Sequence, residues 1–219
     1  MATLISGVKR FVRKLDSFSP WPKLYSWAMT NAERTLFDRT VKNSKQYLEF
    51  GSGGSTLRIL EKSNATVYSV ESSADWIQFL RTYFFVRRHE GKRLTFFPID
   101  IGKTKEWGHP EDDTAKHLFP SYSSAFFDSI DPKKLDVILV DGRFRVACVL
   151  STILHTYSSD HNNQIIMIHD FWQREYYHDV LNYLEVIDKV DSLGVFKVKD
   201  GIDIDLVRKD YDAYKFDSR

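Results

Sequence analysis

Cysteine is almost missing from this chain: Cys148 is the only one in 219 residues. A single thiol rules out an intrachain disulfide framework and a cluster of thiolate metal ligands, which suits a reducing compartment. Cys148 lies in the apolar run Val146-Ala147-Cys148-Val149-Leu150 and reads as a buried structural thiol rather than a nucleophile. Charge of one sign is also lacking, since the formal net charge is +1. No global field therefore draws the chain to nucleic acid or to an anionic membrane. No apolar stretch approaches the ~18 residues of a membrane span, and no signal-peptide pattern opens the sequence, so the expected location is the cytoplasm.

The rest is an ordinary globular composition, 42% apolar and 28% charged, with an unusual 15% of aromatic residues. The aromatics cluster at Tyr83-Phe84-Phe85, Phe96-Phe97, Phe126-Phe127 and Tyr176-Tyr177, and most are expected in the core. The length suits one structural domain with a short N-terminal helical segment, residues 1–45, ahead of a main domain, residues 46–219. Within the first segment Leu4, Ile5, Val8, Phe11, Val12 and Leu15 recur at helical spacing among Lys9, Arg10, Arg13 and Lys14. Such a basic amphipathic helix packs on its own domain or on a second subunit in a homo-oligomer more often than on a membrane surface. A second helix is expected from Thr30 to Thr40, with Thr30 and Glu33 forming a capping box.

From residue 46 short apolar runs alternate with amphipathic stretches. Strands are expected at Gln46–Phe50, Thr66–Glu71, Leu94–Asp100, Asp136–Asp141 and Gln164–His169. Helices are expected at Ser55–Lys62, Ala74–His89, Phe144–Tyr157 and Arg174–Val190. This alternation predicts an α/β fold: a doubly wound, mostly parallel sheet of about seven strands with helices on both faces. The last two strands should form an antiparallel hairpin around Asp200-Gly201. Ligands of such sheets bind beyond the carboxyl ends of the strands, where Glu71, Asp100, Asp141 and His169-Asp170 all fall. The long connection Gly102–Pro132 is either a lid or substrate loop, or a peripheral decoration.

The run Glu49-Phe50-Gly51-Ser52-Gly53-Gly54-Ser55 joins the first strand to the first crossover helix. Glycine permits a sharp turn and close backbone approach, and a carboxylate at Glu71 could accept hydrogen bonds from a ribose. With Val70-Glu71, Asp100-Ile101 and Val140-Asp141-Gly142 in that order, the chain resembles the class I, Rossmann-like S-adenosylmethionine-dependent methyltransferases over residues 46–208. The resemblance implies a methyltransferase with S-adenosylmethionine as its cofactor. It implies that Gly51 and Gly53, with Phe50, Ser52 and Ser55 around them, form the loop against the methionine moiety, positioned by Glu49. It implies that Glu71, with Ser72 beside it, binds the ribose. Asp100 would meet the adenine, with Ile101 or Trp76 against its ring, and Asp141 would lie near the sulfonium. An NAD(P)-dependent oxidoreductase is the rival reading, but Thr56 occupies the place of its third glycine. A cofactor-binding module without turnover is the third.

Neighbouring strand ends should gather Asp141, His169 and Asp170. The histidine is the natural base for a hydroxyl proton, with an acid to orient it. The same acids suit Mg²⁺, but His169-Asp170 departs from the acidic or acid–amide pair of metal-dependent relatives, so no metal is assigned. Arg143 and Arg174, with Tyr177 nearby, point to a small acceptor carrying an acidic group, such as a sugar or glycan. No nucleic-acid-binding motif is present.

Overall fold

The computed structural model describes residues 14–25, 27–158 and 163–219. The amphipathic helix expected over residues 4–15 lies outside them but for its last two positions. Seven strands form one sheet: β1 (Gln46–Phe50), β2 (Thr66–Glu71), β3 (Leu94–Pro98), β4 (Val137–Val140), β5 (Ile165–Ile168), β6 (Leu184–Val190) and β7 (Leu193–Val198). Their order is β3-β2-β1-β4-β5-β7-β6; the first five are mutually parallel, and β7 is antiparallel to both β5 and β6. This is the doubly wound sheet with an antiparallel C-terminal pair that the alternation predicts. The direction of winding reverses between β1 and β4, which makes the crevice above them the expected binding place.

The central strands are buried on both faces, so they read as nearly unbroken apolar runs, Val-Ile-Leu-Val in β4 and Ile-Ile-Met-Ile in β5. Side chains still alternate. Leu48, Phe50, Ile138, Val140, Ile166 and Ile168 enter one core, with α5 (Phe119–Ser124), α6 (Arg145–Thr156) and α7 (Ile204–Tyr214) above it. Tyr47, Val67, Val137, Leu139, Met167 and Val195 enter the other, beneath α1 (Asn31–Val41), α2 (Gly54–Lys62), α3 (Ala74–Leu80) and α4 (Phe84–His89). Cys148 is fully buried in the first core, as its apolar setting predicts.

Three expectations need correction. Residues 174–190 are not one helix but a 3₁₀ stretch, Glu175–Asn182, continuing into strand β6. The register jumps between Val186 and Asp188, so Ile187 is bulged out. That extra residue breaks the alternation of a strand and leaves Leu184, Ile187 and Val190 at helix-like intervals. Asp200-Gly201 is not the hairpin turn; Asp191-Ser192 is. Beyond Gly201 the chain enters α7, whose N-cap Asp203 accepts from the amides of Asp205 and Leu206. The expected helix over 74–89 is also two helices, α3 and α4.

The expected capping box is present on α1: the Thr30 hydroxyl accepts from the Glu33 amide at 3.2 Å, and the Glu33 carboxylate accepts from the Thr30 amide at 2.7 Å. Among the described residues no helix is long and apolar enough to cross a membrane.

Candidate functional site

The glycine loop is fixed by two constraints. Gly51 has φ +98°, and a Cβ there would lie 2.7 Å from the Cα of Gly142, so the ends of β1 and β4 touch backbone to backbone. Beneath the loop lies Glu49, fully buried. Its carboxylate accepts from Ser55 Oγ at 2.7 Å, Ser69 Oγ at 2.6 Å, Tyr47 Oη at 3.3 Å and the Thr56 hydroxyl. The sequence therefore folds the start of α2 onto a buried acid, and Glu49 supports the loop from below without lining the crevice. Phe50 likewise lies in the core.

Burial pushes the Glu49 carboxyl up from 4.5 to about 7, against the pull of its hydroxyl partners. The native state thus holds a proton that the unfolded chain has released between these values. Stability from this group is present below pH 4.5 and is lost as pH rises towards 7, by about 3 kcal/mol. Glu49→Gln should flatten that part of the profile. Denaturant unfolding of both proteins at several pH values measures the difference.

Above the loop opens a cavity of about 1000 Å³, a volume that can hold a cofactor and an acceptor together. Gly51, Ser52, Gly53 and Ser55 line one end with Glu71, Ser72, Ser73 and Trp76. A Cβ on Gly53 would meet nothing within 4 Å, so a ligand can approach this backbone closely. Glu71 accepts from the amides of Ser52 at 3.0 Å and Ser73 at 2.9 Å and from the Ser72 hydroxyl at 3.5 Å. Burial raises its pKa in spite of these bonds. The Trp76 indole donates to the Ser52 carbonyl at 2.8 Å and stacks on Phe79. Asp100 and Ile101 do not join this group. Asp100 is exposed and caps the amide of Gly102, while Ile101 is buried in the core, because β3 stops at Pro98 and the chain turns away.

The other end carries Asp141, His169 and Asp170. His169 Nδ1 lies 2.9 Å from Asp141 Oδ1 and 3.9 Å from Asp170 Oδ1, and its Nε2 lies 3.6 Å from Glu33 Oε2. Burial alone would lower the imidazole pKa; the hydrogen bond and charge of Asp141, then Asp170 and Glu33, outweigh it and hold the value above 6.5. For Asp141 burial opposes ionisation, but His169, Arg145 and Arg143 keep its carboxyl below the ordinary value. Asp170 has φ +56°, a turn that aspartate tolerates better than most residues.

Three arginines surround this group. Arg145, which as the first residue of a helix gives no sign of its direction, is buried; it donates to the carbonyls of Gly142 and His169 and sits 3.4 Å from both Asp141 and Asp170. Arg174 lies 2.8 Å from Asp170. Arg143 is buried, and its Nη1 donates to His109 Nε2 at 2.7 Å. Tyr177 is the one expected acceptor residue outside the cavity lining: it is buried behind the site, its ring against both Arg145 and Arg174. The sequence places Arg145 beside the site with its direction open; it gives no sign of His109 or of the second role of Glu33, which also binds the amide and hydroxyl of Ser192. Donor atoms of Asp141, His169 and Asp170 all lie within 4.8 Å of one another, close enough to hold a metal. Arg145 and Arg174 already offset the two carboxylates, which weakens the case for a cation there.

No protein-family model matches the sequence, and no curated protein matches it. Solved structures do. A methyltransferase-like protein from Silicibacter pomeroyi is 28% identical with a TM-score of 0.77, covering 89% of this chain and 98% of its own. A Staphylococcus aureus protein provisionally named caffeoyl-CoA O-methyltransferase is 14% identical at TM-score 0.51, covering 79% and 85%. A Corynebacterium glutamicum protein is 8% identical at TM-score 0.54, covering 81% and 84%. The last two share the fold; the first shares it over nearly the whole length, with 28% of the residues identical. With its β3-β2-β1-β4-β5-β7-β6 sheet and glycine loop at the switch point, the chain has the Rossmann-like fold of class I methyltransferases and is similar over nearly its whole length to a methyltransferase-like protein.

Proposed function

We propose that this methyltransferase acts on a hydroxyl of a small anionic acceptor, of the size of a sugar or short glycan. The observation that carries the proposal is one continuous cavity. It joins the glycine loop and Glu71 at one end to Asp141, His169, Arg143 and Arg174 at the other. The open space at Gly53 and the Glu71 carboxylate on the cavity wall fit a ribose and a methionine moiety, with Ser72, Ser73 and Trp76 beside the base. When bound, S-adenosylmethionine supplies an electrophilic methyl group.

The protein's own contribution is alignment and proton removal. Asp141 accepts Nδ1–H of neutral His169 and fixes the ring, so that Nε2 can take the acceptor's hydroxyl proton. Asp170, tied to Arg174 and Arg145, lies beside it and favours the imidazolium that results. The nicotinamide reading is weaker for a local reason. The Thr56 hydroxyl accepts from the Gly53 amide at 2.9 Å, and so takes a donor that a pyrophosphate would use.

The test is a calorimetric titration with S-adenosylhomocysteine and, separately, with NADH. The first should bind and the second should not. Glu71→Ala should weaken S-adenosylhomocysteine at least several-fold, since a hydrogen bond to a charged group is worth roughly 1.5 to 3 kcal/mol. Unchanged affinity in the folded variant would remove Glu71 from the site.

A further inference from the structure

Residues 104–110 form a small hairpin, bridged from Thr104 to Pro110, whose inner residues line the cavity. Gly108 presses its backbone between two parts of the site: a Cβ there would lie 3.4 Å from Ser72 Oγ and 3.8 Å from Arg143 Cγ. The hairpin therefore spans the cofactor end and the acceptor end at once. Two residues at this junction carry costs that no direct contact among the described residues offsets.

The first is Arg143. It is 8% exposed and its Nε has no hydrogen-bond partner. Arg145 and Arg174 each face a carboxylate, but among the described residues none lies within ion-pair distance of Arg143. Its side-chain partner is the neutral ring of His109, held neutral by burial and by the arginine's own charge. An imidazole lone pair can orient a guanidinium but cannot neutralise it. A buried cation on a cavity wall, with no carboxylate at ion-pair distance and only the longer-range charge of Asp141 to offset it, is a place for an anion.

The second is Trp107, which is 80% exposed although it lines the same cavity. Its φ is +62°, in the left-handed region that a bulky residue rarely adopts. No other aromatic ring packs on it among the described residues. An indole held in water on a strained backbone is explained by a flat partner that covers it.

We infer that this hairpin is the acceptor-recognition element, and that it selects a ring-shaped acceptor bearing an anionic group, with the ring on Trp107 and the anion on Arg143 held by His109. The inference rests on the transferase reading above, and it narrows the acceptor to one class. Aromatic and sugar rings both stack on indole, so the probes must tell them apart.

The full-length protein, saturated with S-adenosylhomocysteine, is titrated calorimetrically with 4-hydroxybenzoate and D-glucuronate, and with their uncharged counterparts phenol and D-glucose. One anionic probe should bind at millimolar concentration, at least about tenfold more tightly than its neutral counterpart. Trp107→Ala should weaken it about tenfold, Trp107→Phe should restore most of the loss, and Arg143→Ala should erase the preference for charge. S-adenosylhomocysteine affinity should stay unchanged in the two Trp107 variants, which shows that they are folded. Equal binding of charged and neutral probes, wild-type affinity in Trp107→Ala, or no binding of either anionic probe overturns the assignment. If wild type fails to bind S-adenosylhomocysteine, the transferase reading falls, and this assignment falls with it.

Discussion

His169→Ala is expected to lower turnover by roughly 10² to 10⁴-fold, the range for a positioned base, while leaving S-adenosylhomocysteine affinity nearly intact. The split comes from geometry: His169 bonds to Asp141, whereas Glu71 bonds to the Ser52 and Ser73 amides, so the two act through different groups of the cavity. The wild-type pH profile carries a second signature. A base works only when neutral, and Asp141, Asp170 and Glu33 hold this imidazole's pKa above 6.5. Turnover should therefore rise with pH along an acid limb centred above 6.5, and His169→Ala should lose that limb. Chelation by EDTA should have little effect, because Arg145 and Arg174 already compensate Asp141 and Asp170. Activity that EDTA abolishes and Mg²⁺ restores would make the three residues metal ligands instead. Full turnover in His169→Ala would make the histidine structural.

Arg145→Ala is expected to cost about 3 kcal/mol of stability, the lower part of the range for breaking a buried charge pair, since Asp141 and Asp170 keep some contact with water. In a chain of this length that lowers Tm by roughly 6 to 12 °C. The guanidinium also donates to the carbonyls of Gly142 and His169, so its loss unpins the ends of β4 and β5 together. Arg143→Ala makes the informative contrast. It removes a buried cation that has no carboxylate within ion-pair distance among the described residues, so it should cost little stability or none. Thermal melts of the two variants side by side check both statements. Equal losses would mean that the arginines act by packing rather than by charge.

Much of the site was legible because its parts are local in the chain. A glycine loop after one strand, an acid at the end of the next, and Asp141 and His169-Asp170 after two more need only their order and spacing to be placed on one crevice. The Thr30–Glu33 capping box is equally local, its two partners three positions apart. β6 was hidden by one bulged residue, Ile187, which turns a strand's alternation into a helix's. The turn at Asp200-Gly201 was misleading because Ile202 to Leu206 alternate like a strand while Asp203 caps a helix. The remaining facts belong to tertiary structure alone. Arg145 points inward because His169, Asp141 and Asp170 converge on it from strands that the sequence cannot align in space. Glu33 meets His169 and Ser192, which are 136 and 159 residues away, only because α1 packs beside the β6–β7 turn. Local patterns are set by backbone geometry over a few residues. Which polar groups end up without water is set by packing, and packing is what assigns His169 three carboxylate neighbours and leaves Arg143, among the described residues, with none at ion-pair distance.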